Sequence, residues 1–234
     1  MTDCREHVYQ NSGNPALLEF VPPNSRVLDC GCGAGDNARL LKQRGCRTVG
    51  ITISPEEQRA ASGFCDQVLL ADMEAGIPPE IQGAFDVILL CHVLEHLVHP
   101  EKVLRDAHRL LSPHGRLAVA LPNVLFYPNR AKLFAGLFEY TQAGIMDETH
   151  VRFYTHATGE RLLVKSGYKV LVARADGAFP LWKLRCLLKG PWVQKINACA
   201  CRCWPGLFGA QNLYLARTAD MVRPGTATSG SSKA

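Results

Sequence analysis

The 234-residue chain lacks any run of 18 or more apolar residues, the length a membrane-crossing helix requires. Its longest apolar stretch, LAVALPNVLFYP, is broken by Pro122 and Pro128. The opening decapeptide, MTDCREHVYQ, has no apolar core of the kind a secretory signal needs. These absences predict a cytoplasmic protein. No internal repeat is visible, and the C-x2-C spacing common in zinc sites is missing. Ten cysteines are present, but without a secretory signal they do not predict a disulfide framework. Most lie in apolar runs such as VILLCHVL, where cysteine packs as a small hydrophobe.

What is present suits one large domain with a substantial core, since 47% of residues are apolar. We assign it to residues 1–218, followed by a small polar tail (219–234) expected to be disordered. Charge is uneven. Residues 1–160 carry 14 Lys+Arg and 19 Asp+Glu; residues 161–234 carry 12 and 2. The basic end is a candidate for contact with phosphates or lipid headgroups at the inner face of a membrane, or simply a solvated surface.

Short apolar runs alternate with amphipathic stretches. RVLDC (26–30), TVGITIS (48–54), QVLLAD (67–72), FDVILLC (85–91) and GRLAVALPN (115–123) read as strands, joined later by YKVLVARA (168–175) and NLYLAR (212–217). NARLLKQRG (37–45) reads as a helix with Gly45 at its end. SPEEQRAASG (54–63) reads as one with Ser54 as N-cap and Pro55 at the first position. Further helices are expected over 99–115 and 158–167. This rhythm predicts an α/β fold: a seven-stranded, mostly parallel, Rossmann-like sheet with helices on both faces. Two insertions interrupt it, residues 123–156 after the fifth strand and 176–210 before the last.

The stretch DCGCGAG (29–35) follows the first strand and opens a helix. Glycines there permit tight turns and let a ligand approach the backbone, and a helix N-terminus favours a carboxylate or phosphate. The third glycine comes one position too early for the dinucleotide fingerprint G-x-G-x-x-G. VLDCGCGAG resembles the first motif of class I S-adenosylmethionine-dependent methyltransferases, acidic-x-Gly-x-Gly-x-Gly. Asp72 at the end of the third strand and FDVILLCHVLEHL support the likeness, which covers roughly residues 20–175.

The resemblance implies S-adenosylmethionine as cofactor. It places Gly31, Cys32, Gly33 and Gly35 against the methionine part, with Asp29 orienting the loop and the cofactor amine. Asp72 and Met73 lie near the adenine, and Cys91 and His92 line the methionine end. The ribose position departs from the family: Thr52, beside Ile53 in GITIS, stands where an acidic residue is usual. A similar run occurs in the cyclopropane-fatty-acid-synthase branch, where a downstream Gln assists; Glu57 or Gln58 is the candidate here. Cys30 is expected to pack on the sheet, and Cys32 to face the cofactor loop in reach of thiol reagents.

His92, Glu95 and His96 match H-x-x-E-H, a zinc-protease signature, but follow the fourth strand of a sheet whose first loop reads as a cofactor site. We expect no protease there and assign no metal, with a divalent ion at Glu95 and His96 aiding a substrate hydroxyl as the lesser alternative, and weigh His96 as an active-site group. The insertion 123–156 sits where this fold often builds a substrate lid. It carries Asp147, His150, Arg152 and Tyr154. His150 is the candidate general base, Asp147 its orienting partner and Arg152 an anchor for an anionic or polar substrate group. The PN after the fifth strand and D-x-x-H-x-R-F-Y-T resemble bacterial methyltransferases of glycan and cell-envelope assembly.

In the second insertion, FPLWKLRCLLKGPW (179–192) suits an amphipathic helix, packed on the domain or lying at a membrane interface. CACRC (199–203) is left open between lipidation and buried packing. The leading expectation is methyl transfer to a small-molecule or glycan-type acceptor at oxygen. The alternatives are transfer to a lipid carbon and a non-catalytic cofactor-binding partner protein. No nucleic-acid substrate is expected, because the N-P-P-Y-type tetrapeptide of amino-methylating enzymes is absent and the basic end is poor in aromatics.

Overall fold

The computed structural model describes residues 12–180 and 190–219. Seven strands make one sheet: β1 (Arg26–Cys30), β2 (Arg47–Thr52), β3 (Gln67–Leu70), β4 (Phe85–Cys91), β5 (Leu111–Pro122), β6 (Tyr168–Gly177) and β7 (Gly209–Thr218). Their order is β3-β2-β1-β4-β5-β7-β6. The first five pair in parallel, and β7 runs antiparallel between β5 and β6. The Rossmann-like, mostly parallel sheet expected from the sequence is the one observed.

Alternate residues of the central strands feed two cores. Leu28, Ile88, Leu90, Leu117 and Val119 join Leu104 and Ala107 of α4 (Pro100–Leu110) and Leu163 of α6 (His156–Lys165). Val27, Val87, Leu89, Ala118 and Ala120 face the other way, onto Leu17 and Leu18 of α1 (Pro15–Leu18) and Leu41 of α2 (Asp36–Lys42). Burial on both faces explains why FDVILLC is apolar throughout rather than alternating. The fully buried Leu104 anchors α4, and its truncation to alanine would cost about 2–5 kcal/mol.

α3 (Pro55–Ala61) starts as expected, with Ser54 as N-cap and Pro55 in the first turn. α2 stops at Lys42 and the chain turns through Gly45, which adopts φ 73°. The junction of α4 and β5 differs from the sequence reading. α4 ends at Leu110, and β5 begins at Leu111 rather than 115. Pro113 disfavours helical geometry at Ser112, and Leu111 is already extended (φ −71°, ψ 138°). The apolar pair Leu110–Leu111 continues a helical stripe in sequence while the backbone has left the helix. A register shift against β4 between Phe85 and Val87 absorbs the irregular start.

α1 escaped the sequence reading. Leu17, Leu18 and Val21 are buried, and Arg44 donates to the Leu18 carbonyl (2.6 Å) and to that of Val21. The insertion 123–156 holds α5 (Tyr127–Phe134) and then a largely exposed loop. In the second insertion α7 (Gly190–Cys203) and α8 (Pro205–Phe208) are described; most of 179–192, with Trp182, Lys183, Arg185 and Lys189, and the tail beyond Ala219 lie outside the described residues. CACRC lies on α7. Cys199 and Cys203, one turn apart, are exposed, while Cys201 on the opposite face is buried with its Sγ 3.4 Å from the Phe208 carbonyl. Among the described residues no helix is long and apolar enough to cross a membrane.

Candidate active site

The strand order reverses between β1 and β4, and the crevice at their carboxyl ends is where open α/β sheets bind ligands. The loop after β1 is shaped by glycines. Gly31, Gly33 and Gly35 adopt φ 78°, 53° and 89°, conformations costly for other residues. A Cβ on Gly31 would lie 2.5 Å from Cγ2 of Val93, two residues past β4, so the loop and the β4 tail are in contact. Met73, in the 3₁₀ turn after β3, brings its Cε within 3.7 Å of the same point. Asp72 is exposed and caps that turn through its bond from Glu74 N–H (2.9 Å).

Asp29 is fully buried, and neither carboxylate oxygen has a hydrogen-bond partner among the described residues. Burial pushes its pKa up to about 7. An ionised carboxylate in that position lacks a cationic donor, and an incoming ammonium would supply one.

At the β2 end, Thr52 is buried and donates to Glu57 Oε2 at 2.5 Å, while Ile53 beside it is half-buried. Glu57, on α3, thus brings a carboxylate to the tip of β2. Gln58 instead donates to the Val68 carbonyl (3.0 Å), so of the two candidates only Glu57 reaches Thr52. Cys30 is buried in the core as expected. Cys32 corrects the reading of its side chain. Its thiol turns under the loop onto Gly50 and Cys65, where a Cβ on Gly50 would lie 2.7 Å from Cys32 Sγ. The hydrogen bond with Cys65 and burial raise its pKa, which disfavours the thiolate a reagent attacks.

Past β4, His92 holds a left-handed backbone (φ 56°) that turns its ring between two acceptors. Nδ1 lies 3.2 Å from Glu95 Oε1 and Nε2 lies 3.1 Å from Gln211 Oε1. Burial pulls its pKa down, but hydrogen bonding and charge from Glu95, with Gln211, outweigh this and leave it raised. Gln211 also accepts from Asn14 Nδ2 (2.8 Å), which reaches Cys91 Sγ at 3.6 Å; burial raises the Cys91 thiol to about 12. Asn14 and Gln211 belong to no motif and were not read from the sequence.

Glu95 is fully buried. Its Oε1 serves His92, and its Oε2 has no partner among the described residues. Its backbone carbonyl accepts from both Val151 and Arg152 N–H (3.0 Å each), tying the insertion to the β4 tail. This brings His150 to Glu95, with Nε2 4.0 Å from Oε1, and stacks it edge-on to His96 with ring centroids 4.7 Å apart. Burial lowers the His150 pKa more than the Glu95 charge raises it.

Two partners differ from expectation. Asp147 does not orient His150, whose Nδ1 lies 3.1 Å from the Ile145 carbonyl. Asp147 accepts instead from the Thr149 backbone (2.8 Å) and hydroxyl (2.6 Å), and Thr149 Oγ1 in turn meets His96 Nδ1 at 3.1 Å. Asp147 therefore positions His96 through Thr149. The Arg152 guanidinium donates to the carbonyls of Leu97 (3.2 Å) and Val98 (2.5 Å), clamping the insertion to the turn after Glu95. Tyr154 does similar work through its hydroxyl to the Leu94 carbonyl (3.5 Å). Phe153 lies 6.3 Å from the His150 ring and meets Phe138 and Tyr140 at 6.0 and 6.4 Å, an aromatic wall beside the histidines.

A glycine loop at the reversal point of such a sheet, with an unpartnered buried acid beside it, defines an α/β cofactor-binding domain of the class I methyltransferase type. A family model described as "Methyltransferase domain" matches residues 5–173, and the chain belongs to that family. A ubiquinone biosynthesis O-methyltransferase of Chromobacterium violaceum is 30% identical over 119 residues, which cover 44% of this chain and 48% of that protein. The chain spans about half the length of such curated relatives. Among solved structures, a SAM dependent methyltransferase from Archaeoglobus fulgidus matches with TM-score 0.61 at 19% identity, covering 87% of this chain and 90% of that one. Magnesium protoporphyrin IX methyltransferase from Synechocystis PCC 6803, solved with bound SAH, matches with TM-score 0.56 at 16% identity, covering 87% and 80%. These last two likenesses show the fold. S-adenosylmethionine, the cofactor of this class, fits the residues present: its amino group suits the unpartnered Asp29 carboxylate, beside a loop whose Gly31, Gly33 and Gly35 hold left-handed backbones.

Proposed function

We propose that this methyltransferase acts on the hydroxyl of a ring-bearing small molecule. The observation that carries the reading is the meeting of Glu95, His96 and His150 beside the aromatic wall of Phe138, Tyr140 and Phe153. The bound cofactor supplies an activated methyl group. The chain must add alignment of the acceptor and a place for one proton. Asp29 and the glycine loop hold the methionine end, Glu57 with Thr52 the ribose, and Met73 packs beside them.

His150 is the atom group suited to take the proton. Its Nδ1–H is committed to the Ile145 carbonyl, which leaves the Nε2 lone pair toward Glu95. When the acceptor O–H breaks, the proton passes to Nε2, and the imidazolium gains the Glu95 carboxylate as counter-charge. A phenolic hydroxyl, with an ordinary pKa of about 10, is within reach of such a base more readily than a sugar hydroxyl. The O-methyltransferase relatives of ubiquinone biosynthesis support this acceptor class over a glycan. The exposed insertion 123–156, with Phe134 fully open to solvent, acts as the lid that brings this wall over the acceptor.

The test is methyl transfer from labelled cofactor to a panel of phenols, catechol-type compounds and sugars. Phenolic turnover that disappears in Gly33→Arg, with the circular dichroism spectrum preserved, supports the reading. Sugar turnover without phenolic turnover, or a wild-type chain that fails to bind S-adenosylhomocysteine in calorimetry, sinks it.

A further inference from the structure

Gly50 sits inside β2, where a missing side chain weakens a strand unless something else needs the room. Two thiols use it. A Cβ at Gly50 would lie 2.7 Å from Cys32 Sγ and 3.2 Å from Cys65 Sγ. Cys32 belongs to the glycine loop after β1, and Cys65 to the turn between α3 and β3. Both segments are pinned to β2. Cys32 N–H donates to the Ile51 carbonyl (2.8 Å), and the N–H of Asp66, next to Cys65, donates to that of Thr48 (2.8 Å). The loop leans on the same turn at a second point, for a Cβ on Gly35 would lie 2.9 Å from Ala61 Cα and 3.2 Å from Phe64 Cδ2. The two sulfurs share a hydrogen bond. It raises the Cys32 pKa, so Cys32 keeps its hydrogen and Cys65 accepts. Cys32 is buried and Cys65 half-buried.

We infer that Cys32 and Cys65 form an oxidation site: a peroxide converts them to a disulfide that ties the glycine loop to the turn before β3 and opposes cofactor binding. The half-buried Cys65 is the sulfur a peroxide reaches first, and the buried Cys32 is its resolving partner. In the first step the Cys65 sulfur attacks one peroxide oxygen and the O–O bond breaks. Cys65 becomes a sulfenic acid, and the other oxygen leaves as water with the thiol proton. In the second step the Cys32 sulfur attacks that of Cys65 and the S–O bond breaks. The hydroxide leaves as a second water with the Cys32 proton. The peroxide is reduced by the same pair of electrons that the two thiols lose. Cys30, the other cysteine of the loop, is buried in the core and takes no part.

A disulfide draws its sulfurs to about 2.05 Å, closer than any hydrogen bond between them. Cys32 stands between Gly31 and Gly33, so the loop must follow its sulfur. The charges of Asp29 and Glu57 both bear on the Cys32 thiol, which lies near the acid beside the loop and the one at the tip of β2. Moving it disturbs both ends of the cofactor seat. The coupling runs both ways, so bound cofactor holds the pair reduced. The effect on the cofactor, though not the bridge itself, rests on the reading that the glycine loop holds the methionine end.

The test treats reduced full-length protein with hydrogen peroxide, blocks the remaining thiols with N-ethylmaleimide and cuts the chain with trypsin and Asp-N without reduction. Mass spectrometry should find fragment 29–35 joined to fragment 60–65, with the bridge on Cys32 rather than Cys30. S-adenosylhomocysteine affinity in calorimetry should fall by about tenfold or more, a coupling of ordinary size, and dithiothreitol should restore it. Cys65→Ser should keep its affinity through the same treatment. In a glutathione redox buffer, saturating S-adenosylhomocysteine should shift the pair toward thiols by the same factor. Absence of the Cys32–Cys65 bridge, a bridge that leaves affinity unchanged, or an equal loss of affinity in Cys65→Ser overturns the inference. If Cys65→Ser does not fold, joint recovery of thiols and affinity in dithiothreitol decides. A reduced chain that fails to bind S-adenosylhomocysteine overturns the reading of the glycine loop, and the mass spectrum alone then decides the bridge.

Discussion

Asp29 and Glu95 are both fully buried carboxylates near the carboxyl ends of neighbouring strands, yet they are built for different partners. Asp29 has no hydrogen-bond partner among the described residues, and burial raises its pKa to about 7. Glu95 is surrounded by three imidazoles that the chain itself provides. One side of the crevice waits for its charge partner; the other has assembled one from two distant segments. On the function proposed above, the difference separates holding a cofactor from handling a proton.

That division can be broken from either side. The largest effect is expected for Glu95→Gln, which should lower methyl transfer by about 10²–10⁴-fold, the usual worth of acid–base machinery, with S-adenosylhomocysteine affinity retained in calorimetry. Asp29→Asn should do the reverse, weakening S-adenosylhomocysteine about 10–100-fold for the loss of a charged hydrogen bond while the rate at saturating cofactor holds. The same residue sets a pH dependence. Its pKa is raised to about 7 in the free chain, so below that pH the carboxyl keeps a proton that an incoming ammonium must displace. Affinity should therefore strengthen as pH rises toward 7, by about tenfold per unit, and level off above; Asp29→Asn should flatten the profile.

Smaller differences sharpen the cofactor side. Glu57→Ala should weaken the ligand about tenfold and Gln58→Ala far less, since only Glu57 reaches Thr52. Last comes Arg152→Ala. It should cost about 1–2 kcal/mol of stability in a denaturant titration by freeing the carbonyls of Leu97 and Val98, without the rise in acceptor KM that a substrate anchor would show.

The two sides were unequally legible in the sequence for the same reason. Asp29 and the glycines are contiguous, and strand–turn–helix chemistry within ten residues specifies their geometry. The ribose position was harder because Thr52 breaks the pattern and the carboxylate that meets it, Glu57, sits on the next helix. His150 and Asp147 were picked out as a pair by their closeness along the chain. The turn from Asp147 to Thr149 instead folds that carboxylate onto its own neighbour and delivers it to His96. The targets of Arg152 are backbone carbonyls, which carry no residue-specific signal at all. Gln211 enters from the last strand, and the early start of β5 at Leu111 hides behind two leucines that fit a helix equally well.

β7 is the last strand among the described residues but an interior strand of the sheet, and it carries Gln211 to His92. On a ribosome, then, β5 and β6 remain bare edges until residues 209–218 have emerged and slotted between them. Everything up to α6 can be synthesised and collapsed while the sheet stays open and His92 lacks one of its two acceptors. The nascent form, with two unsatisfied strand edges, is the stage most exposed to misassociation.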